Sequence, residues 1–160
     1  MSKTVICLDP HGNKREFPVS ELQWRPAAYG IVIKGGKVLL SKQFGNKFDI
    51  PGGGLDLGER LEECVIREIK EETGIHVKNP KLLAVRESFF WPSHGDNKAY
   101  QSIMFYYSCE YVGGKLSTDG FDEWEKQYAE LAEWVSLEKL DKIKVASSVD
   151  YRPFIKKALI

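Results

Sequence analysis

The order of apolar and polar residues along the chain predicts mostly β-structure. Runs rich in β-branched and aromatic residues, separated by turn-forming Gly, Pro and Asn, are typical of strands joined by short connections. The first two runs flank "PHGN" and predict an N-terminal hairpin, and the next two flank a Gly-Gly turn and predict a second hairpin. The segments predicted as strands are "TVICLD", "KREFPV", "AAYGIVIK", "KVLLSKQ", "KLLAVRESFF", "YQSIMFYYSCEYV" and "LAEWVSL". The segment "NKFDIPGGG" predicts a short strand that Pro51 ends, entering a glycine loop.

Between about Glu59 and Thr73 the spacing of apolar residues changes to the period of a helix. Apolar residues recur there every four positions, as Leu61, Val65 and Ile69. Gly74 then provides a helix stop. A second helix is predicted in "VDYRPFIKKALI", with Asp150 as its N-cap. The predicted fold class is α/β in the broad sense, with helices and a mixed sheet.

Composition narrows the classes of protein. The chain has 160 residues, which predicts one domain over residues 1–160 with the hairpin at about 1–20 as an extension. Lys plus Arg and Asp plus Glu each number 23, so net charge gives no attraction to nucleic acid or an anionic membrane. No apolar run is long enough to span a bilayer, and no secretory signal is recognisable. Widely spaced cysteines indicate reduced thiols and a cytoplasmic location: Cys7, Cys64 and Cys109.

Glutamates crowd the second half of the predicted helix. At about 100° per residue, Glu68, Glu71 and Glu72 fall within roughly a 100° arc, where like charges repel. A solvated acidic face would produce such a run. A divalent-cation site would also produce it, because clustered carboxylate oxygens suit Mg²⁺ and a bound ion removes the repulsion. The glycine loop before the helix favours the second interpretation, because Gly52 to Gly54 let main chain approach a ligand closely.

The loop and the helix together resemble the Nudix box. The pattern runs from Gly53 through five residues to Glu59, and through seven more to "REIKEETGI", which is Arg67 to Ile75. Every fixed position of the family pattern is filled across these 23 residues. The resemblance implies a Nudix-type α/β/α sandwich. It also implies hydrolysis of a nucleoside diphosphate linked to another moiety, with Mg²⁺ as the cofactor and Mn²⁺ as a possible substitute.

The resemblance also implies roles for residues of the box. The metal ligands would be Glu68, Glu71, Glu72 and the carbonyl of Gly53. Arg67 would orient a glutamate of the box by a charge-assisted hydrogen bond. Structural support of the box would come from Glu59, Gly54 and Gly74. Metal ions would neutralise the phosphate oxygens while a carboxylate takes a proton from the attacking water.

The general base is left open among several carboxylates. In some members of the family it is a glutamate of the box, here Glu68, and in others it is a glutamate from a downstream loop. This chain offers four downstream acids: Glu123, Glu125, Glu130 and Glu133. Glu130 is preferred, because it lies four residues before Trp134 in a segment that resembles the family's approach to a late strand.

Residues for substrate binding are predicted from aromatic and basic side chains near strand ends. Phe90 and Trp91 precede the polar loop "WPSHGDNK" and offer rings for stacking on a base, although such residues also suit a core. Arg25 and Arg86 offer positive charge for phosphate, as do Lys42 and Lys47.

The expected partner is a small-molecule nucleotide, with a sugar nucleotide such as ADP-ribose favoured. A MutT-like nucleoside triphosphate pyrophosphatase is the alternative among enzymes. Outside enzymes, some Nudix-like domains act as nucleotide-sensing or protein-binding modules. Many relatives are dimers, so the resemblance also makes a homodimer possible.

Overall fold

The computed structural model describes residues 2–92 and 97–160, and within them the strands form one mixed sheet. The strands are β1 (Thr4–Leu8), β2 (Lys14–Pro18), β3 (Leu22–Lys34), β4 (Lys37–Gln43), β5 (Lys47–Asp49), β6 (Gly52–Gly54), β7 (Ile75–Phe90), β8 (Ala99–Gly114), β9 (Ala129–Ser136) and β10 (Lys144–Val145). Their order is β10-β5-β4-β3-β8-β7-β1-β2, with β6 beside β3 and β9 beside β4. Three pairs, β3–β8, β1–β7 and β5–β10, are parallel and the others are antiparallel.

The long helix α1 (Leu61–Thr73) begins two residues after the predicted start and ends where predicted. Its first turn is stabilised by the Glu63 carboxylate, which accepts the Arg60 N–H at 2.9 Å. Gly74 ends the helix with a φ of 78°, a left-handed conformation that favours glycine. A Cβ at Gly74 would lie 2.2 Å from the Lys115 carbonyl oxygen, so the close approach of this backbone also requires glycine at the end of the helix.

The C-terminal helix α2 (Arg152–Ala158) corrects one prediction. Its N-cap is Tyr151 rather than Asp150. The Asp150 carboxylate still accepts the Arg152 N–H at 3.1 Å and its guanidinium at 2.8 Å. Asp150 therefore stabilises the first turn of α2 from the position before the N-cap residue. Short 3₁₀ turns occur at Val19–Glu21, Glu125–Gln127 and Leu137–Lys142.

The two predicted hairpins are confirmed as β1–β2 and β3–β4. The strand predicted from Lys81 is longer than expected, since β7 starts at Ile75 directly after the helix stop. Pairing with β8 extends along β7 in spite of Pro80, because register shifts between Lys78 and Lys81 accommodate the proline. Half of the predicted loop "WPSHGDNK" (residues 91–98), namely residues 93–96, lies outside the described residues.

The two faces of the sheet bury different helices. Alternate residues of β3 point to opposite faces, as strand geometry requires. Ala27, Tyr29 and Ile31 share a core with Phe154 and Ile155 of α2. On the other face, α1 contributes Val65 and Ile69 to a core with Ala28 and Val32 of β3. The predicted α/β/α sandwich is confirmed.

One glycine of β3 shows how closely α1 approaches the sheet. A Cβ at Gly30 would lie 2.3 Å from Ile69 Cδ1 and 2.9 Å from Val65 Cγ2. Any larger residue would push the helix away and open the space where its acids lie. Within the described residues, no helix is both long enough and apolar enough to cross a membrane.

Candidate active site

The glycine loop forms one wall of the site. β6 pairs antiparallel with β3, and Gly53 lies opposite Ala28. A Cβ on Gly53 would lie 2.7 Å from the Glu68 carboxylate, and a Cβ on Gly52 would lie 2.3 Å from the Ala28 carbonyl oxygen. At Gly52 the obstacle is backbone, so a larger residue does not fit there, whereas a side chain at Gly53 would displace the Glu68 carboxylate. The backbone of Gly53 therefore lies directly against that carboxylate.

Cys64 packs beneath this loop. It is fully buried, and its Sγ lies 3.5 Å from the Gly54 carbonyl oxygen and 3.7 Å from that of Gly53. Burial raises the pKa of the Cys64 thiol to about 12, so the sulfur stays protonated at neutral pH. Its position and protonation suit a packing residue and not a nucleophile.

The Arg67 guanidinium binds three carboxylates near the start and middle of α1. Its Nε and Nη2 donate to the two oxygens of Glu59 at 2.6 and 2.9 Å, which is a bidentate pair. Its Nη1 donates to Glu68 at 2.9 Å and to Glu71 at 3.1 Å. The hydrogen bonds from Arg67 lower the pKa of Glu59 to about 2. Arg67 therefore links the loop before α1 to two of the predicted metal ligands.

Glu72, one helical turn after Glu68, has a different environment. The hydrogen bond to its carboxylate comes from the Gly52 N–H at 3.2 Å. No lysine or arginine of the described residues forms an ion pair with it. Burial raises the pKa of Glu72 well above its ordinary value, and the charges of Glu68 and Glu125 raise it further. Burial also raises the pKa of Glu68, against the lowering effect of Arg67.

These carboxylates suit a hard divalent cation, although the side chains are not gathered into a finished site. Across residues 2–92 and 97–160, no three His, Cys, Asp or Glu side chains already lie close enough together to hold a metal ion. Glu72 has no ion pair with a cationic side chain in the part of the chain that the structure describes, and the Glu68 carboxylate occupies the space that a side chain at Gly53 would need. All the donors are oxygens, the type that Mg²⁺ prefers.

Two adjoining cavities meet beside Glu72. The smaller, of about 160 Å³, is lined by Glu72, Glu125 and Glu130 together with Arg25 and Lys42. The larger, of about 740 Å³, is lined mainly by aromatic, serine and proline residues. Five residues line both cavities: Arg25, Tyr29, Gln43, Asp49 and Tyr128. The cleft therefore has a small charged end and a large, mostly uncharged end.

Two downstream glutamates line the small cavity with Glu72. Glu130, the base preferred from the sequence, is half-buried in β9, where it lies opposite Lys42 of β4. Glu125 is also half-buried, and burial raises its pKa. Burial is the largest cause of the raised pKa values of Glu68 and Glu72, and the negative charge of Glu125 is a smaller cause of both. Glu125 therefore lies near both glutamates. The other two downstream acids form ion pairs: Glu123 with Lys126 and Glu133 with Lys42.

The residues predicted to bind substrate separate into two groups. Arg25 lines both cavities and Phe90 lines the larger one. Trp91 packs instead in a core with Phe17, at a ring distance of 5.9 Å, under the N-terminal hairpin. Arg86 is exposed, and its guanidinium lies 4.9 Å from the Phe154 ring. Neither of these two is among the described residues that line the cleft.

Asp49 is a site residue that sequence reasoning did not identify. It ends β5 and lines both cavities. The hydrogen bond to its carboxylate comes from the next residue, as the Ile50 N–H donates at 2.7 Å. Burial raises the pKa of Asp49 to about 7. Its neighbours Phe48 and Ile50 are buried, and because side chains alternate along a strand, Asp49 points to the opposite side from them. This alternation of apolar, acidic and apolar residues is visible in the sequence.

Comparison with known proteins gives a family match over most of the chain. The model described as the NUDIX domain matches residues 24–157. The ADP-ribose pyrophosphatase of Methanocaldococcus jannaschii is 37% identical over 124 residues, covering 74% of this chain and 70% of that protein. The NAD-capped RNA hydrolase NudC of Pectobacterium carotovorum is 30% identical over 122 residues, covering 74% of this chain. The chain spans 42% of the length of that NudC.

Solved structures match at the level of the fold. A MutT protein from Bacillus halodurans superposes with a TM-score of 0.62 at 24% identity, covering 82% of this chain and 80% of its own. An ADP-ribose pyrophosphatase from Streptococcus suis gives a TM-score of 0.61 at 16% identity, covering 84% of this chain and 89% of its own. At these identities the structures support the architecture and not a substrate.

Proposed function

The chain belongs to the Nudix hydrolases, and from that premise we propose that it cleaves a phosphoanhydride bond in a nucleoside diphosphate linked to a second group. One observation carries the proposal: the acidic cavity lined by Glu72 shares a wall of five residues with a cavity of about 740 Å³. Cavities of this size bury a ligand as large as a nucleotide. A diphosphate at the shared wall would reach the carboxylates, while the larger end holds an organic group.

A sugar nucleotide such as ADP-ribose is the favoured substrate. The relative that is 37% identical is named an ADP-ribose pyrophosphatase, and the match covers 70% of that protein. The large cavity adds a physical reason, because aromatic residues and serines suit a base and sugar hydroxyls. A MutT-like pyrophosphatase acting on nucleoside triphosphates remains the second candidate, because its substrates also carry a base and a sugar that suit the large cavity.

The NudC relatives add a substrate class that composition alone did not predict. They are named NAD-capped RNA hydrolases and are 28 to 30% identical to this chain. NAD also contains a diphosphate between two organic groups, so it fits the same cleft chemistry. NAD and an NAD-capped oligonucleotide therefore belong in the test set, although the chain lacks a net positive charge to attract RNA.

A bound Mg²⁺, or Mn²⁺ in its place, would neutralise the phosphate oxygens and lower the pKa of water. Its proposed ligands are Glu68, Glu71, Glu72 and the Gly53 carbonyl. Arg67 holds Glu68 and Glu71 in position through its hydrogen bonds. Arg25, on the wall shared by both cavities, would bind a phosphate oxygen. Glu130 is the proposed base that takes the proton from the attacking water, with Glu125 as the alternative.

The test is a panel of nucleotides with release of phosphate as the readout. Purified protein is incubated with Mg²⁺ and ADP-ribose, UDP-sugars, NAD or NAD-capped oligonucleotide, and phosphatase then converts new phosphomonoesters to phosphate. For nucleoside triphosphates, inorganic pyrophosphatase replaces the phosphatase and converts released pyrophosphate to phosphate. We expect turnover of ADP-ribose that EDTA abolishes and added Mg²⁺ restores. Activity that survives thorough chelation would exclude the metal mechanism, and preference for triphosphates would exclude the sugar nucleotide.

A nucleotide-sensing module would give a different result in the same panel. Calorimetry would then detect binding of a nucleotide that remains intact after long incubation with Mg²⁺. We expect turnover instead, because Glu72 keeps a buried carboxylate without a cationic partner among the described residues. A group that only senses a ligand has no need to retain such an unfavourable charge.

A further inference from the structure

The connection between β1 and β2 reaches the large cavity from outside the region that matches the family. The family match begins at residue 24, whereas Pro10 and His11 lie in the connection that follows β1. Both residues line the cavity of about 740 Å³, together with Phe44 and Phe90. The N-terminal hairpin therefore contributes a wall to the cleft that the family domain alone lacks.

The hairpin is fixed to the rest of the sheet. Leu8 at the end of β1 lies in parallel register with Phe90 of β7, and the Trp91 N–H donates to the Leu8 carbonyl oxygen at 2.9 Å. Cys7 and Phe17 are buried, and they pack with Ala99 of β8 in a small core of their own. The position of the connection is thus determined by sheet pairing and core packing.

Asp9 orders the connection internally. Its side chain is nearly buried, with 7% of the residue exposed, and its Oδ1 accepts the N–H groups of His11 at 2.9 Å and Asn13 at 2.7 Å. Its Oδ2 accepts the Asn13 side-chain amide at 2.9 Å. Gly12 permits the tight turn with a φ of 83°. The backbone of His11 is therefore held in one place before any ligand arrives.

The residues around this loop indicate what it would contact. Phe44 keeps 56% of its surface exposed at the turn after β4, where it lines the same cavity as Phe90 and Tyr128. Aromatic faces that remain accessible in a cavity suit the stacking of a nucleobase, which is worth about 1–3 kcal/mol per base. An imidazole adds a flat ring with a hydrogen-bond donor and an acceptor. The acidic groups proposed to hold the metal ion line the smaller cavity, and Arg25, proposed to bind phosphate, lies on the wall that the two cavities share.

We propose that the β1–β2 connection is a recognition element for the nucleobase of the substrate, with His11 contacting the base and Asp9 as the positioning residue. The proposal rests on the function proposed above and assigns the base to the large cavity. It follows that the second group of the substrate, on the other side of the diphosphate, lies away from the hairpin.

The test compares two ligands that differ by the base. AMP contains it, and ribose 5-phosphate does not, so dissociation constants for both are measured by calorimetry with wild-type protein and with His11→Ala. We expect His11→Ala to weaken AMP binding roughly tenfold, the loss of one good contact, and to leave ribose 5-phosphate unchanged. Asp9→Asn should weaken AMP binding in the same selective way. His76→Ala, an exposed histidine of β7 that is not among the cavity-lining residues, is the matched control and should match wild type.

Each result decides for or against the proposal. A selective loss of AMP binding in His11→Ala supports it, and a KM that rises with little change in kcat for the substrate found in the panel supports it independently. Equal AMP binding in wild type and His11→Ala overturns it, and so does a loss confined to ribose 5-phosphate. If the wild type turns over no nucleotide but binds AMP, the hydrolase proposal fails, and the comparison of AMP binding between wild type and His11→Ala still decides whether the connection recognises the base. If the wild type turns over a nucleotide but binds neither AMP nor another nucleoside monophosphate, the hydrolase proposal stands and this one fails.

Discussion

Two groups of carboxylates at the cleft differ in how their negative charge is balanced. The paired group surrounds the Arg67 guanidinium at 2.6 to 3.1 Å and consists of Glu59, Glu68 and Glu71. The unpaired group consists of Glu72 and Asp49, whose carboxylates receive hydrogen bonds from backbone N–H groups. Burial raises the pKa of Asp49 to about 7 and the pKa of Glu72 well above its ordinary value.

In the paired group the folded protein supplies the counter-charge, whereas in the unpaired group a ligand must supply it. Arg67 gives the paired group an internal counter-charge, so those side chains have defined positions in the protein alone. Burial of the unpaired group carries an electrostatic cost that the backbone N–H groups of Gly52 and Ile50 reduce, but that no lysine or arginine ion pair among the described residues balances. Such uncompensated groups in a cleft mark a functional site, because a bound cation or a hydrogen-bond donor of the substrate would relieve the cost.

The largest effect is expected from Glu72→Gln, which removes charge from the unpaired group and keeps the shape of the side chain. Turnover should fall about 10³-fold, the scale seen when one strong electrostatic contact is lost. The Tm measured in EDTA should stay the same or rise, because a buried unbalanced charge is gone. Glu62→Gln removes an exposed charge from the same helix and should keep wild-type turnover. Near wild-type activity in folded Glu72→Gln would exclude Glu72 as a principal ligand.

The second prediction asks which carboxylate of the small cavity is the base. Glu130→Gln should lower kcat about 10²-fold, the lower range of general base catalysis, and leave the Mg²⁺ requirement unchanged. Raising the pH should restore part of that activity, because hydroxide no longer needs a base. The measurement is a pH–rate profile at saturating metal for Glu130→Gln, Glu125→Gln and Glu68→Gln. Normal turnover in Glu130→Gln, with loss and high-pH recovery in one of the other two, would assign the base to that residue.

The third prediction tests the paired group through Arg67→Lys. A lysine keeps the charge but cannot donate to Glu59, Glu68 and Glu71 at once in the geometry of the guanidinium fork. The free energy of unfolding in urea should fall by about 1–2 kcal/mol, and turnover by about tenfold as Glu68 loses its fixed position. Arg152→Lys, which alters a surface pair with Asp150, should change stability much less, because solvent screens that pair. Equal effects from both substitutions would show that Arg67 is an ordinary surface charge.

Local pattern was sufficient to predict α1 and the elements around it. The spacing of Leu61, Val65 and Ile69 and the stop at Gly74 depend on residues close in sequence, and the structure has the helix over Leu61–Thr73. The strands were harder at their ends. β7 begins at Ile75, because pairing with β8 extends it through a segment containing Pro80 that its own sequence does not favour.

The parts of the cleft that the sequence did not reveal depend on contacts between distant segments. His11 and Asp49 line the same cavity although 38 positions separate them, and nothing local predicts that meeting. Phe90 ends β7 and Trp91 follows it directly, yet the two rings take opposite roles: Phe90 lines the large cavity and Trp91 packs in the core under the hairpin. An aromatic pair at a strand end therefore predicts one core ring and one accessible ring, without saying which.

The smallest effect is a dependence of stability on pH that distinguishes the two groups by sign. The hydrogen bonds from Arg67 lower the folded-state pKa of Glu59 to about 2, below the value of roughly 4.3 expected in the unfolded chain. Protons therefore bind the unfolded state more readily, so the stabilisation by Glu59 is complete above about pH 5 and is lost as the pH falls towards 2. For Glu72 the folded-state pKa is raised, so its contribution has the opposite slope and declines as the pH rises above its ordinary value.

Urea unfolding in EDTA from pH 3 to pH 8 measures both slopes, with each glutamate replaced by glutamine. The free energy lost in Glu59→Gln should be constant from pH 6 to 8 and should shrink steadily below pH 5. The free energy of unfolding of Glu72→Gln should instead increase relative to that of the wild type as the pH rises, because glutamine has no proton to lose. Glu62→Gln, an exposed change on the same helix, should follow the wild-type curve. Curves of the same sign for Glu59→Gln and Glu72→Gln would mean that Arg67 does not divide these carboxylates into two groups.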